Sequence, residues 1–479
     1  MATNVVVALA LVSSALVYGY VRYRESQLKT IVLPALVKPA APAPAASDGL
    51  SAMNILLVGS NTRTGLDPGE AAQFGSASEV PGARSDVTMI MHLDPTNDSV
   101  SLLSIPRDLF VPLPPHSIAG PVGKIDAALN DGPNNLISAI TSNLGIPINH
   151  YMEINFDGFQ RTIDAIGGIK MSFPTQLRDL MSALLIPRTG CLQLNGATAL
   201  AVVRARHLQY YANGRWQNDP QSDLARIRRD HTFLRIFVNT AKGQVTNPLR
   251  LNALVGGLLN QVTVDSGLNV NTMLALFRHF RHLNPDTAPQ TTLPITVVPN
   301  YHYGPGAYGD VDMPVEPLDH QVIDTWLGKP APAASPSSVA VKLVNISGTS
   351  RKATTIAAGI TAAGFQVVST STGSNPASIT ETLIHYHPGS VDQAIGVLHV
   401  LTGAVMLEAD PAIADGNVTV DVGSVVAVAA PAAATAAQPA ATATPTTAAA
   451  GAPSIPTALG ETPSSAEDQP AAFDPVACP

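Results

Sequence analysis

Arginine recurs in this chain where an apolar run has just ended or is about to begin. PRD (106–108) follows SLLSI, RAR (204–206) closes ALAVVRAR, and ARSD (83–86) precedes VTMIMHL. A planar guanidinium grips two phosphate oxygens at once, so a set of this kind suits a polyanion. Carboxylates travel with the arginines. Asp86 lies two residues after Arg84, and Asp108 directly follows Arg107. Carboxylate oxygens hold Mg²⁺, whose octahedron substrate phosphates can complete. Lys124, in GKIDAAL, adds another cation.

The densest basic stretch is 201–235, with seven arginines against three aspartates, a local excess of +4 inside a chain of formal charge −8. That excess asks for an anionic partner. ALAVVRARHL (199–208) reads as extended, which puts Arg204 and Arg206 on one side, roughly 7 Å apart. Two guanidinium groups so placed repel unless an anion lies between them. DLARIRRDHTFLRIF (223–237) reads as a helix with Leu224, Ile227, Leu234 and Val238 as its apolar stripe. Asp223, Arg226 and Asp230 fall within about a third of a turn of one another. Arg229 flanks that polar face, whereas Arg228 lies about 200° from Arg226 and reads as ordinary surface. Taken singly, each arginine is solvated charge, and Arg226 with Asp230 is an i,i+4 pair contributing a few tenths of a kcal/mol. Taken together, Arg, Lys and Asp at several strand ends describe one polyanion site with room for a divalent cation.

The elements that must position these groups are legible in outline. NILLV (54–58), VTMIMHL (87–93) and VSLLSI (100–105) are buried strands, the last two joined by a Pro-Thr-Asn-Asp turn. Pro106 ends its strand because it has no N–H for the ladder. IKMSF (169–173) reads as extended, and 135–144, 156–166 and 223–241 carry helical periodicity. Alternation of this kind predicts a layered α/β domain with a central mixed sheet over 53–328. KPAPAASPSS (329–338) is a linker by composition. Residues 339–425 follow a β-α-β-β-α-β order that predicts a small ferredoxin-like α+β domain. From 426 to 479 the chain is rich in Ala, Thr and Pro, and reads as a disordered tail. Val5 to Val21 is uncharged for seventeen residues, about 26 Å as a helix. Residues 4–21 are therefore expected to be a transmembrane anchor rather than a cleaved signal, since no basic n-region or A-x-A site accompanies them. Pro/Ala-rich residues within 22–52 make a spacer. Arg22, Arg24 and Lys29 follow the span, which by itself argues for a cytoplasmic domain. The chain opens almost directly into the apolar run, and a basic extension ahead of it would remove that conflict. Cys191 and Cys478 are too few for a disulfide scaffold and fit no metal motif.

NILLVGSNTR, ARSDVTMI, SLLSIPRD, KIDAAL, GIPINHYMEINFDGFQRTIDAIGGIKM, CLQLNGATALAVVRARH and DLARIRRDHTFL, in that order, resemble the LytR-CpsA-Psr family of cell-wall ligases. Residues 338–425 resemble the C-terminal domain that accompanies that family in actinobacteria. The resemblance implies an outward-facing, single-pass membrane protein. It implies transfer of a glycopolymer, arabinogalactan in a mycolate-type wall, from a polyprenyl pyrophosphate carrier to a peptidoglycan hydroxyl. Its partners would be that lipid-linked glycopolymer, the peptidoglycan acceptor and membrane lipid, with Mg²⁺ on the pyrophosphate and the prenyl chain in an apolar tunnel.

Position by position, the resemblance assigns pyrophosphate binding to Arg84, Arg107, Lys124, Arg204, Arg206 and Arg226, with Arg229 beside them. Metal binding falls to Asp86 and Asn61, and the helix carboxylate is Asp223. Arg107, Arg204 and Arg206 would stabilise the charge growing on the leaving phosphate. Asp223 or Asp108 is the candidate base. Asn61 replaces a carboxylate and brings no charge. Asp126 stands where Asn is usual, and Asp230 where Gln is.

Other chemistries find less support. No G-x-S-x-G elbow is present, and GSNTRTG lacks the Lys-Ser/Thr ending of a P-loop. His385 and His387 alternate in TLIHYHPG but lack a third metal ligand. The tyrosines of NYHYGPGAYGD (300–310) are a packed loop or a sugar-stacking surface. A pyrophosphatase would use the same arginines with water as the attacking group. A transcriptional attenuator, and any nucleic-acid partner, is disfavoured by the acidic total and by the lack of a basic recognition helix.

Overall fold

The computed structural model describes residues 23, 26–39, 50–62, 82–219, 222–244, 259, 261–329, 335–373, 379–387, 389–429 and 475–478. The expected anchor at 4–21 and most of the expected tail lie outside them. Among the described residues, no helix is long and apolar enough to cross a membrane.

A seven-stranded mixed sheet organises the first two-thirds of the chain. From edge to edge its strands are Lys29–Ile31, Val262–Asp265, His150–Asn155, Met53–Ser60, Ser85–Asp94, Ser99–Ser104 and Gln290–Thr292. Met53–Ser60 pairs antiparallel with Ser85–Asp94 and parallel with His150–Asn155, so the mixed sheet expected from the alternation is present. Period-2 alternation gives its two faces different work. Leu56, Val58, Ile90, Leu103 and Tyr151 join one large core with the helix Pro133–Leu144. Leu57, Met89, Met152 and Ile154 point the other way and line a cavity. Helices Phe156–Ala165, Gly196–Arg204 and Ser222–Gln244 carry residues of the far wall.

Four readings from sequence need correction. The expected spacer at 22–52 contributes an edge strand: Lys29–Ile31 pairs parallel with Val262–Asp265, and Leu28 and Leu33 are buried. Val37 then donates its N–H to Ile148 O at 2.8 Å. Proline-rich composition hid a short segment that folds because the sheet supplies its partner. Second, ALAVVRARHL is not a strand; Gly196–Arg204 is a helix whose Asn195 side chain accepts from Thr198 N. An Asn cap followed by an Ala-rich run outweighs the β-propensity of two valines.

The third correction concerns the C-terminal unit, which is not ferredoxin-like. Its five-stranded sheet runs Gln366–Thr372, Ala340–Asn345, Asn417–Val422, Thr382–Tyr386, Val405–Ala409. Helices Lys352–Ala362 and Val391–His399 each link parallel neighbours, where a ferredoxin-like sheet would be antiparallel. The strand Val405–Ala409 follows the helix Val391–His399 after a short connection turned at Gly403, whose φ is +97°, and that glycine was the signal the periodicity reading passed over. The unit docks on the first domain: Thr291 Oγ1 donates to Val405 O at 3.0 Å, and both units share one core.

Fourth, the chain's end is not wholly tail. Val476–Ala477 pairs antiparallel with Ile169–Phe173, and Cys478 forms a disulfide with Cys191 across 287 residues.

Candidate functional site

Asp108 is the hub of the cationic cluster. Only 5% exposed, it accepts from Arg206 Nη2 at 2.8 Å, forms an ion pair with Lys124 Nζ at 2.8 Å, and lies 3.5 Å from Arg107 Nε. These partners come from the end of one central strand, from the hairpin strand Val122–Lys124, and from the turn after helix Gly196–Arg204. Burial acts to raise the Asp108 pKa, but Arg107, Lys124 and Arg206 outweigh it and hold the carboxyl below its usual range. The other face of Arg107 meets Asp86 at 2.5 Å and Asp126 at 3.5 Å.

Asp126 was not singled out as a site residue, yet it is fully buried between Arg107 and Arg84, the latter 4.0 Å away. Burial pushes its carboxyl up to about 6 against the pull of Arg107 and Arg84, with Asp108 and Asp86 adding repulsion. KID, following a glycine in a hairpin, carried no signal that its acid would be enclosed.

The cavity beside this cluster has a volume of about 410 Å³, within the size range of small-molecule sites. Asp86, Arg107, Arg204, Arg206, Arg226 and Asp230 line it together with Leu57, Met89, Phe159, Phe233 and Phe237. Charge and apolar surface thus share one cleft. Arg204 stacks its guanidinium 4.2 Å over the Phe156 ring, a cation–π contact that orients it. Arg206 is set by Asp179, whose Oδ2 accepts from the backbone N–H of Arg206 and of His207 at 2.9 Å. Nothing in LRDLM marked Asp179 for that task.

The remaining candidates divide. Lys124 and Arg84 do not line the cavity; Lys124 shares Asp108 with Arg107 and Arg206, which do, and Arg84, half exposed, stands near Asp126. Arg229, expected beside the pyrophosphate, is 1% exposed, pairs with Asp219 at 3.5 Å and donates to Ala205 O, so it braces the turn between Arg204 and Arg206. Arg228, expected on the surface, is 5% exposed and pairs with Glu381. Asp223 lies in the first turn of Ser222–Gln244, and its side chain is outside the described residues.

For a divalent cation, Asp86 and Asn61 offer hard oxygens at the ends of two paired strands. Asn61 Oδ1 accepts from Arg84 N at 2.9 Å, and Asp86 Oδ1 meets Arg107. Next to them, Ser60 and Ser85 are register partners whose buried hydroxyls have no hydrogen-bond partner among the described residues. Two buried hydroxyls, a carboxylate and an amide oxygen fit a hydrated Mg²⁺, which binds few protein ligands directly.

His385 is held between Glu408 at 3.2 Å and Asp421 at 3.4 Å, on opposite ring nitrogens. That is an ion-pair sandwich, not a metal arrangement. Tyr301, Tyr303 and Tyr308 pack around buried Phe110.

Comparison with known proteins bears on the family of the chain. A family model described as the LytR_cpsA_psr family matches residues 36–311. The chain is 31% identical over 220 residues to the protein named "Probable cell wall biosynthesis protein LcpB" of Corynebacterium glutamicum, covering 45% of this chain and 49% of that one. It is 27% identical over 234 residues to the polyisoprenyl-teichoic acid–peptidoglycan teichoic acid transferase TagV of Bacillus subtilis, covering 47% of this chain and 56% of TagV. This chain therefore spans about half the length of the curated relatives it matches. Among solved structures, the LytR-Csp2A-Psr enzyme from Actinomyces oris aligns at 23% identity and a TM-score of 0.45, over 63% of this chain and 97% of that one. With the family model covering more than half of its residues, the chain belongs to the LytR-CpsA-Psr family.

Proposed function

We propose that the protein is a phosphotransferase that moves a glycopolymer from a polyprenyl pyrophosphate carrier to peptidoglycan during wall assembly. One observation carries the reading: Arg107, Arg204, Arg206 and Arg226, drawn from three segments of the chain, line the same cavity as Leu57, Met89, Met152, Phe159, Phe233 and Phe237. A diphosphate with an isoprenoid tail matches both surfaces. The names of relatives such as TagV supply the same substrate class.

In this mechanism the diphosphate lies among the four arginines and the first isoprene units lie against Leu57, Met89, Phe159 and Phe233. The acceptor hydroxyl oxygen forms a bond to the phosphorus that carries the glycopolymer. The bond from that phosphorus to the bridging oxygen breaks, and polyprenyl phosphate leaves. Arg107, Arg204 and Arg206 stabilise the charge that grows on the leaving phosphate. The hydroxyl proton must go to a base. Asp108, clamped by three cations and of lowered pKa, is a poor acceptor and instead aligns Arg206, Arg107 and Lys124. Asp223 remains the candidate. Asp86 and Asn61 would hold Mg²⁺, which when bound neutralises diphosphate charge. We place the domain on the outer side of the membrane, anchored by residues 4–21. The Cys191–Cys478 disulfide supports an oxidising compartment.

The test is to incubate the full chain with a prenyl pyrophosphate bearing a radiolabelled sugar, peptidoglycan fragments and Mg²⁺. Label should move to peptidoglycan, and should stay on lipid with Arg204→Ala. Label released only as soluble sugar phosphate would identify a pyrophosphatase, and label left on lipid by the wild type would overturn the reading.

A further inference from the structure

The helix Ser222–Gln244 has two buried faces. Arg226, Asp230, Phe233 and Phe237 line the cavity, and at 100° per residue they fall within an arc of about 60°. Arg228, His231 and Arg235 lie on the opposite side, at roughly 140–200° from Arg226. Three basic side chains on the far face of a helix would ordinarily meet water, but these are 5%, 1% and 3% exposed.

What meets them includes a carboxylate of the C-terminal unit. Glu381, 1% exposed, receives His231 Nδ1 on Oε1 at 2.7 Å and faces Arg228 Nε from Oε2 at 3.7 Å. The second imidazole nitrogen, Nε2, lies 2.7 Å from Ser104 Oγ on a central strand. Glu381, His231 and Ser104 thus form one buried chain from the C-terminal unit, through the helix, to the central sheet. Its order is that of a Ser-His-acid hydrolase triad. Ser104 is only 2% exposed, however, and none of the three lines the cavity, so substrate has no approach to its hydroxyl.

We propose that Glu381 is a positioning residue for the diphosphate site: through His231 and Arg228 it fixes the rotation of the helix that presents Arg226 to the cavity. The inference rests on the reading of that cavity as a prenyl diphosphate site. Magnitude favours function over mere attachment. Turning a helix of 10–12 Å diameter by 20° moves side chains at its rim by about 2 Å. A misplacement of about 1 Å can cost a factor of about 10² in rate. A buried acid that locks the rotation therefore acts on catalysis from outside the residues the family model matches, which end at 311.

The test measures farnesyl pyrophosphate affinity by calorimetry, and kcat and KM for transfer, on the full chain. Glu381→Gln keeps an acceptor for His231 but removes the charge opposite Arg228. It should bind about tenfold more weakly with its fold intact, and Glu381→Asp should recover part of that loss. In an Arg226→Ala background, Glu381→Gln should change affinity by less than twofold, because the side chain it positions is gone. Equal losses in both backgrounds, or wild-type affinity in a folded Glu381→Gln protein, would overturn the proposal. Should that variant not fold, Ser104→Ala takes its place in the same cycle, with a two- to fivefold loss expected and no loss counting against the proposal. Wild-type affinity in Arg226→Ala alone would instead bring down the reading of the cavity, and this inference with it.

Discussion

Replacing Asp126 by Asn should stabilise the protein at neutral pH. Its carboxyl is fully buried, and its pKa is raised from 3.8 to about 6. An acid whose folded pKa lies above its unfolded value takes up protons on folding. Stability is therefore highest below the unfolded value and falls as pH climbs through the window from about 4 to about 6. A shift of about two units corresponds to about 3 kcal/mol, the penalty for keeping the ionised form enclosed at pH 7.5. Asparagine mimics the protonated shape without that charge. Denaturant unfolding of the full chain, with chelator present and the disulfide intact, should show the variant more stable by up to about 3 kcal/mol at pH 7.5. The gap should close on acidification toward pH 4. Acids remote from Asp126 contribute equally to both proteins, so the difference reports Asp126 together with its coupling to Asp108 and Asp86. A variant no more stable than wild type at pH 7.5, or a gap that does not change with pH, would refute the reasoning.

Arg204→Ala should lower kcat for transfer by roughly 10²–10³, the usual cost of removing one preorganised donor, with little change in melting temperature. Asp108→Asn, which weakens the hold on Lys124 and Arg206, should raise KM for the lipid donor, and unchanged kinetics would count against its aligning role. Proteolysis without reductant should yield a cross-linked peptide pair joining Cys191 and Cys478. Cys478→Ser should then cost about 2–4 kcal/mol of unfolding free energy. For His385, burial lowers the pKa, but Asp421 and Glu408 outweigh it, so the folded value is raised. Its contribution is thus complete below the unfolded value of 6.5 and is lost as pH rises through the folded one. In His385→Gln, that decline should disappear from hydrogen-exchange protection of the C-terminal sheet.

Local signals in the sequence were enough to pick out arginines that the structure gathers round one cavity, but not the architecture that gathers them. Arg107 and Asp108 were legible because Pro106 ends an apolar strand, which leaves its charged successors at the sheet's edge. Arg204, Arg206 and Arg226 line one cavity even though the segment carrying the first two reads as a strand; the helix ends at Arg204, and both still reach the cavity. Asp126 stood out only as an acid where Asn is usual, and its enclosure, like the backbone capping by Asp179, could not be foreseen because both depend on neighbours from other segments. Arg228 and Arg229 show the same limit from the other side. Periodicity gave their angle on the helix, but not that Glu381 and Asp219 would meet them. The C-terminal topology failed where one apolar stretch held a helix and a strand divided only by a turn at Gly403, because hydrophobic periodicity outweighed that single glycine.

The central claim is that dispersed arginines converge on a diphosphate at the mouth of an apolar cavity, and a crystal structure with farnesyl pyrophosphate and Mg²⁺ tests it most directly. The account expects the diphosphate among Arg107, Arg204, Arg206 and Arg226, with the prenyl tail against Leu57, Phe159 and Phe233. A ligand bound elsewhere, or a tail pointing out to solvent while those apolar walls stay uncovered, would contradict it.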